Sequence, residues 1–106
     1  MTFKDLKFEQ VEGRGIQARI PFRNGFEVSV VKHQYSYGGD KGLYEIGVFN
    51  AAGSMCDPLG WGDDVKGWLT PQDVEQELKL IEALWKTTIE ILTFAFGFLY
   101  FPSLLF

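Results

Sequence analysis

The chain has 106 residues, of which 46% are hydrophobic and 16% aromatic, and this predicts one globular domain with a single modest core. Its net charge of −4 is concentrated in residues 50–85, where two lysines face seven carboxylates. This acidic stretch argues against non-specific nucleic-acid binding, which needs several cations per site, and is compatible with a basic protein partner. Alternatively, the acidic face serves only to keep the protein in solution.

One cysteine, Cys56, excludes an intramolecular disulfide and a cysteine-based zinc cluster, so we expect a reducing, cytoplasmic compartment. The opening residues mix Lys4, Asp5 and Lys7 with no apolar stretch behind them, so no signal peptide is expected.

A nucleophilic pair of Cys56 with His33 is formally possible, but the sequence places no cation beside Cys56 to activate it. No motif for a cofactor, a metal ion or catalysis is present, and none of these is expected.

The first half of the chain predicts an antiparallel sheet of about four strands. Alternating apolar and polar residues mark the candidate strands, which are residues 7–11, 16–22, 26–32 and 43–49. Asn24-Gly25, between the second and third candidates, is a strong hairpin signal. Pro21 cannot donate a backbone hydrogen bond, so its amide position should face a sheet edge or a bulge.

The second half predicts a loop followed by a long helix. A short strand is possible at 54–56, and residues 63–69 are predicted to form one helical turn. Thr70 and Pro71 form a typical helix start, and a stripe of apolar residues continues to about residue 92. The stripe includes Val74, Leu78, Ile81 and Trp85. The predicted fold class is therefore α+β: an antiparallel sheet of about four strands packed against a long C-terminal helix, in a domain of residues 1–88.

Residues 35–42 form a glycine-rich loop with two tyrosines, followed closely by a third. Backbone amides of such a loop can bind phosphate, which makes a small-ligand or nucleotide-binding module one hypothesis. The spacing lacks the lysine and hydroxyl residue of a P-loop, so a plain hairpin loop is the simpler interpretation. Tyr35, Tyr37, Asp40 and Tyr44 offer rigid aromatic area and an acidic anchor, a composition typical of protein recognition.

A second candidate cluster combines two tryptophans with two adjacent carboxylates: Trp61, Asp63, Asp64 and Trp68. The carboxylates supply too few oxygen ligands for a calcium or magnesium site, and capping a helix is their simpler role. Exposed tryptophans beside acidic residues would instead form the energetic centre of a protein interface.

Residues 89–106 form an apolar extension in which Glu90 is the only ionisable side chain. Five of the ten phenylalanines lie there: Phe94, Phe96, Phe98, Phe101 and Phe106. Such a segment has to be covered by a core, an interface or lipid. Because it continues the apolar stripe of the helix, it should either complete the domain's own core or form an interface with a second copy. Its apolar area exceeds what the remaining seam should absorb, so we expect a homo-oligomer, most simply a dimer, with membrane attachment as the alternative.

Four stretches of the sequence carry a resemblance to a known family. They are GIQA (15–18), NGFEVSVV (24–31), SYGGDKGLYEIGV (36–48) and DDVKGWLTPQDV (63–74). In their order and wording they resemble a family of small uncharacterised proteins of tailed bacteriophages, over roughly residues 3–84. The resemblance implies a phage protein acting in the host cytoplasm, and it offers no catalytic residues. It does not extend over the apolar tail, which is either a functional addition or the product of a shifted reading frame.

These observations favour a non-enzymatic phage accessory protein that binds and modulates a host protein, such as an antiviral-defence or nucleic-acid-processing enzyme. The acidic half and its tryptophans are the expected contact surface. The alternatives are the small-ligand module and a membrane-attached effector.

Overall fold

The computed structural model describes residues 1–13 and 15–85, and within them a six-stranded antiparallel sheet carries one helix on one face. The strands are β1 (Glu9–Val11), β2 (Gly15–Pro21), β3 (Glu27–Lys32), β4 (Tyr44–Phe49), β5 (Met55–Cys56) and β6 (Val65–Leu69), and the helix is α1 (Pro71–Glu82). The α+β class is confirmed. The predicted extension 89–106 lies outside the described residues.

The first four strands form a meander in the order β1-β2-β3-β4. The predicted hairpin joins β2 to β3, where the amide of Gly25 donates to the carbonyl of Phe22 at 3.1 Å and Gly25 takes a φ of 95°. β1 pairs only with Gly15–Gln17, so Pro21 lies where β2 has a neighbour on one side alone. The far edge of β4 is shared by two short strands, with β5 opposite its end and β6 opposite its start.

The core lies between one face of the sheet and α1. Its largest fully buried side chains come from β3, β4 and the helix: Val28, Val30, Ile46, Val48, Val74, Leu78 and Ile81. The opposite face of the sheet mixes apolar side chains such as Val31 and Phe49 with polar ones, and carries a bidentate ion pair between Arg19 and Glu27 at 3.0 Å. Only one sheet face is therefore a core face within the described residues.

The helix begins where the sequence predicts and ends earlier. The hydroxyl of Thr70 accepts the amide of Asp73 at 3.1 Å, and the carboxylate of Asp73 accepts the amide of Thr70. The C-terminus is fixed by Asn24 of the hairpin, whose buried side-chain amide donates to the carbonyls of Ile81 at 2.8 Å and Leu84 at 3.0 Å. The predicted long helix was therefore wrong, because a distant side chain satisfies the carbonyls at residue 81 and beyond.

Three further predictions need correction. Residues 63–69 do not form a helical turn, since Val65–Leu69 pairs with β4 as an additional strand. The sheet accordingly has six strands and not about four. Trp85 is 58% exposed and does not join the apolar seam of Val74, Leu78 and Ile81.

Candidate functional site

An open cleft of about 570 Å³ lies along β6, between the loop 35–42 and the loop 57–62. We call it the aromatic cleft and define it by its lining residues, which are Tyr37, Gly60, Trp61, Asp63, Val65, Lys66, Gly67 and Trp68. The sequence placed these aromatic residues in two separate clusters. The pairing of β6 with β4 brings Tyr37 of the first cluster beside Trp61, Asp63 and Trp68 of the second.

Trp68 has the most unusual backbone of the described residues. The register between β4 and β6 shifts by one residue between Tyr44 and Ile46, and Trp68 occupies this bulge with a φ of 59°. The left-handed conformation costs a residue with a large side chain about 1–2 kcal/mol. Its indole is nonetheless 57% exposed, so burial of the ring does not explain why the conformation is kept. Strained residues of this kind concentrate at functional sites.

The bulge is held in place by the neighbouring loop. The amide of Trp68 donates to the carbonyl of Tyr37 at 3.0 Å, and this hydrogen bond ties loop and strand together. A Cβ on Gly67 would lie 2.2 Å from the Cβ of Tyr37, and one on Gly38 would lie 3.0 Å from the Cα of Trp68. Only glycine at both positions allows this approach, which leaves the ring of Tyr37 56% exposed beside the cleft.

The opposite wall is built around Asp57. Its carboxylate accepts the amide of Trp61 at 2.7 Å and that of Gly62 at 2.8 Å, and these bonds lower its pKa. The indole N–H of Trp61 donates to Glu77 of α1 at 3.1 Å. Trp61 is thus fixed by its own loop and by the helix.

Glu77 also neutralises Lys66, the one cation among the described residues that line the aromatic cleft. Its second oxygen lies 2.8 Å from the Nζ of Lys66, and only 12% of its side chain is exposed. Asp63 accepts the amide of Asp64 at 2.6 Å and has no ion-pair partner among residues 1–13 and 15–85. Its carboxylate is therefore the uncompensated charge of the cleft.

Glu45 is a site residue that the sequence analysis missed. It lies on the open face of the sheet in β4, beside Val65. Partial burial raises the pKa of its carboxyl, and the negative charge of Asp63 adds to this, while the Tyr37 amide and His33 act in the opposite direction. The sequence shows Glu45 between Tyr44 and Ile46, two strand residues of the core face, and this alternation was the signal that could have placed it on the open face. Its proximity to Asp63 arises only when the sheet forms.

The structure divides the predicted partner-binding residues. Tyr37, Trp61, Asp63 and Trp68 line the aromatic cleft, and Asp64 adjoins it through its amide. Tyr35, Asp40 and Tyr44 do not line the cleft.

Tyr44, Asp40 and Tyr35 each have different surroundings. Tyr44 packs edge-on against Phe3 with ring centroids 5.1 Å apart, on the core side of the sheet. Asp40 lines a separate depression of about 300 Å³ with Lys32 and His33. Tyr35 is 74% exposed and its ring faces that of His33. The predicted oligomer residues Phe94, Phe96, Phe98, Phe101 and Phe106 lie outside the described residues.

The glycine-rich loop uses most of its backbone amides internally. The amides of Ser36, Gly39, Lys41, Gly42 and Leu43 all donate to carbonyls between residues 33 and 39. These donors are therefore not free to bind a phosphate group, and the small-ligand hypothesis has to rely on side chains.

His33 and Cys56 are placed far apart. In the sheet, Cys56 is opposite Val48 and Val48 is opposite Val28, four residues along β3 from Lys32. That offset alone is about 13 Å at the rise of a β-strand. Burial raises the pKa of the Cys56 thiol, and Asp57 and Asp64 raise it further, so the thiol stays protonated at neutral pH.

Within residues 1–13 and 15–85 no three His, Cys, Asp or Glu side chains form a group able to hold a metal ion. In the same part of the chain, no helix has the length and apolar character needed to cross a bilayer.

Comparisons with protein-family models, with curated proteins and with solved structures gave no match. The resemblance to small phage proteins therefore stays a prediction from the sequence.

Proposed function

We propose that the chain is a non-enzymatic phage accessory protein that binds and modulates a host protein, and that the aromatic cleft is its binding surface. The observation that carries the proposal is Trp68, a largely exposed indole in a left-handed conformation that costs free energy. Selection for stability alone would favour glycine or asparagine at this position. A tryptophan there is explained by contact with a partner, because tryptophans that become buried on binding contribute much of the binding free energy of protein interfaces.

The surroundings of Trp68 support the same conclusion. Tyr37 and Trp61 add aromatic area on either side. The carbonyl of Tyr37 is hydrogen-bonded to β6, and Trp61 is hydrogen-bonded to Asp57 of its own loop and to Glu77 of α1. Aromatic anchors that are rigid before binding lose little entropy when a partner arrives. The negative net charge of residues 50–85 would also attract the basic surface of a partner during association.

The experiment is affinity capture from a bacterial lysate with the tagged full chain. The Tyr37→Ala/Trp68→Ala variant tests the aromatic cleft, and Leu80→Ala serves as a matched control because Leu80 is an exposed apolar residue of α1 outside it. We expect one host protein to be enriched by the wild type and by the control, and to be lost with the double variant. Equal enrichment by all three, or none by the wild type, would contradict the proposal.

A further inference from the structure

The aromatic cleft combines features that suit a positively charged side chain. Two exposed aromatic residues, Tyr37 and Trp68, line it, and the faces of such rings attract cations. Asp63 supplies a carboxylate without an ion-pair partner among the described residues. The electrostatic balance then depends on Lys66, which also lines the cleft.

Lys66 does not reverse this balance, because its ammonium is bound by Glu77 at 2.8 Å. The pair is set partly below the surface, where Glu77 is also fixed by the indole N–H of Trp61 at 3.1 Å. Glu45, beside Val65, adds a further carboxylate whose charge repels that of Asp63. A cation entering the cleft would relieve this repulsion, whereas an anion would increase it.

We propose that the aromatic cleft binds an arginine side chain of a basic segment in its protein partner, between the rings of Tyr37 and Trp68 and against the carboxylate of Asp63. This inference rests on the proposed function and names the chemistry that the partner must present. Arginine fits better than lysine because its planar guanidinium stacks on aromatic faces and donates in parallel to a carboxylate.

The probe is a blocked peptide, acetyl-Gly-Ser-Arg-Gly-Arg-Ser-Gly-amide, compared with versions in which citrulline or lysine replaces arginine. Citrulline keeps the size and planarity of arginine, but it is uncharged and has a carbonyl oxygen in place of one terminal nitrogen donor. Binding to the full chain is followed by the NMR signals of the three indole N–H groups, of Trp61, Trp68 and Trp85. Trp85 is the internal reference, because it does not line the cleft.

We expect the arginine peptide to shift the Trp68 and Trp61 signals and to leave that of Trp85 in place, with weaker binding of lysine and no binding of citrulline. Asp63→Asn should weaken the arginine peptide roughly fivefold or more. Asp40→Asn removes the same charge from the separate depression and should leave binding unchanged. Lys66→Met should strengthen binding, since Lys66 is the only cation that lines the cleft in the part of the chain that the structure describes.

The inference would be overturned if the citrulline peptide bound as tightly as the arginine peptide, or if Lys66→Met bound the arginine peptide more weakly. It would also be overturned if no indole signal shifted at a peptide concentration of about 10 mM, well above a Kd of about 1 mM. If host-protein capture nevertheless depends on Tyr37 and Trp68, the proposed function stands and only the arginine assignment fails. If capture fails as well, both are wrong.

Discussion

At the scale of single residues, the backbone of Trp68 lowers the stability of the fold, while its side chain is proposed to bind a partner. Its φ of 59° is easily adopted by glycine and disfavoured for every residue with a Cβ. The exposed indole contributes less to folding than a buried one would. The residue is therefore kept at some cost to the stability of the free protein.

We expect Trp68→Gly to be more stable than Trp68→Ala by about 1 kcal/mol, because both lose the indole and only alanine keeps the strain. In an ordinary strand the order is reversed, since glycine is there the less stable residue. Urea unfolding of both full-length variants measures the difference. If Trp68→Ala were the more stable variant, the left-handed backbone would impose no strain.

Glu45 is a second residue whose charge opposes folding. Burial raises its pKa, so the folded protein holds the Glu45 proton more tightly than the unfolded chain does. Stability is therefore lost as the pH rises from the unfolded-state pKa of about 4.3 through the higher folded-state value. The same carboxylate adds negative charge beside the aromatic cleft, where the proposed binding of a cationic side chain would benefit from it.

We expect Glu45→Gln to be more stable than the wild type at neutral pH, with the difference disappearing below about pH 4, where Glu45 is protonated in both states. Unfolding by urea at a series of pH values measures it. Asp5, Asp57 and Asp73, whose pKa values are lowered by hydrogen bonds, destabilise both proteins equally in acid and cancel in the comparison. A difference that grows toward acid pH would show that Glu45 ionises favourably in the fold.

At the scale of elements, the contact between the hairpin and α1 determines where the helix ends. The buried amide of Asn24 donates to the carbonyls of Ile81, Glu82 and Leu84, and its oxygen accepts the amide of Phe26 at 3.1 Å. One side chain thus joins the turn between β2 and β3 to the C-terminus of the helix.

We expect Asn24→Ala to destabilise the protein by about 1–3 kcal/mol, because partly buried carbonyls lose their donor. Asn24→Asp should cost more at neutral pH, since it places a carboxylate beside three carbonyl oxygens at the negative end of the helix dipole. Thermal unfolding at neutral pH and at about pH 3, where an aspartate is largely protonated, separates the two effects. An aspartate variant as stable as the alanine variant at neutral pH would show that the carbonyls do not face residue 24.

Elements whose signals are local could be predicted from the sequence, and those fixed by distant contacts could not. Asn24-Gly25 and the Thr70 cap act within a few residues, and both lie where expected. Val65–Leu69 follows two aspartates that resemble a helix cap, and only its pairing with β4 makes it a strand. The candidate site shows the same division. Its aromatic residues could be identified from the sequence, but their assembly into one cleft and the proximity of Glu45 to Asp63 depend on the pairing of β6 with β4.

At the scale of the whole molecule, the aromatic residues of the proposed binding surface lie together along β6. The aromatic cleft belongs to the acidic part of the sequence, whereas the ion pair of Arg19 and Glu27 joins β2 and β3 on the open sheet face. A partner bound as proposed would contact these aromatic side chains and the carboxylate of Asp63. The predicted oligomer interface belongs to a different part of the chain, so the two proposals can be tested separately.

We expect the full chain to be a homo-oligomer, most simply a two-fold dimer, held together through residues 89–106. Each large apolar side chain contributes about 1.5–3 kcal/mol when it is buried, and five phenylalanines lie in this segment. Replacing Phe94, Phe96, Phe98, Phe101 and Phe106 by serine removes most of this driving force and should give a monomer. Size-exclusion chromatography with light scattering in detergent-free buffer measures both proteins, and a chain with Leu80→Ser is the control for loss of an exposed apolar residue elsewhere. A monomeric wild type would contradict the prediction, whereas a wild type recovered only from the membrane fraction of cells would favour attachment to lipid.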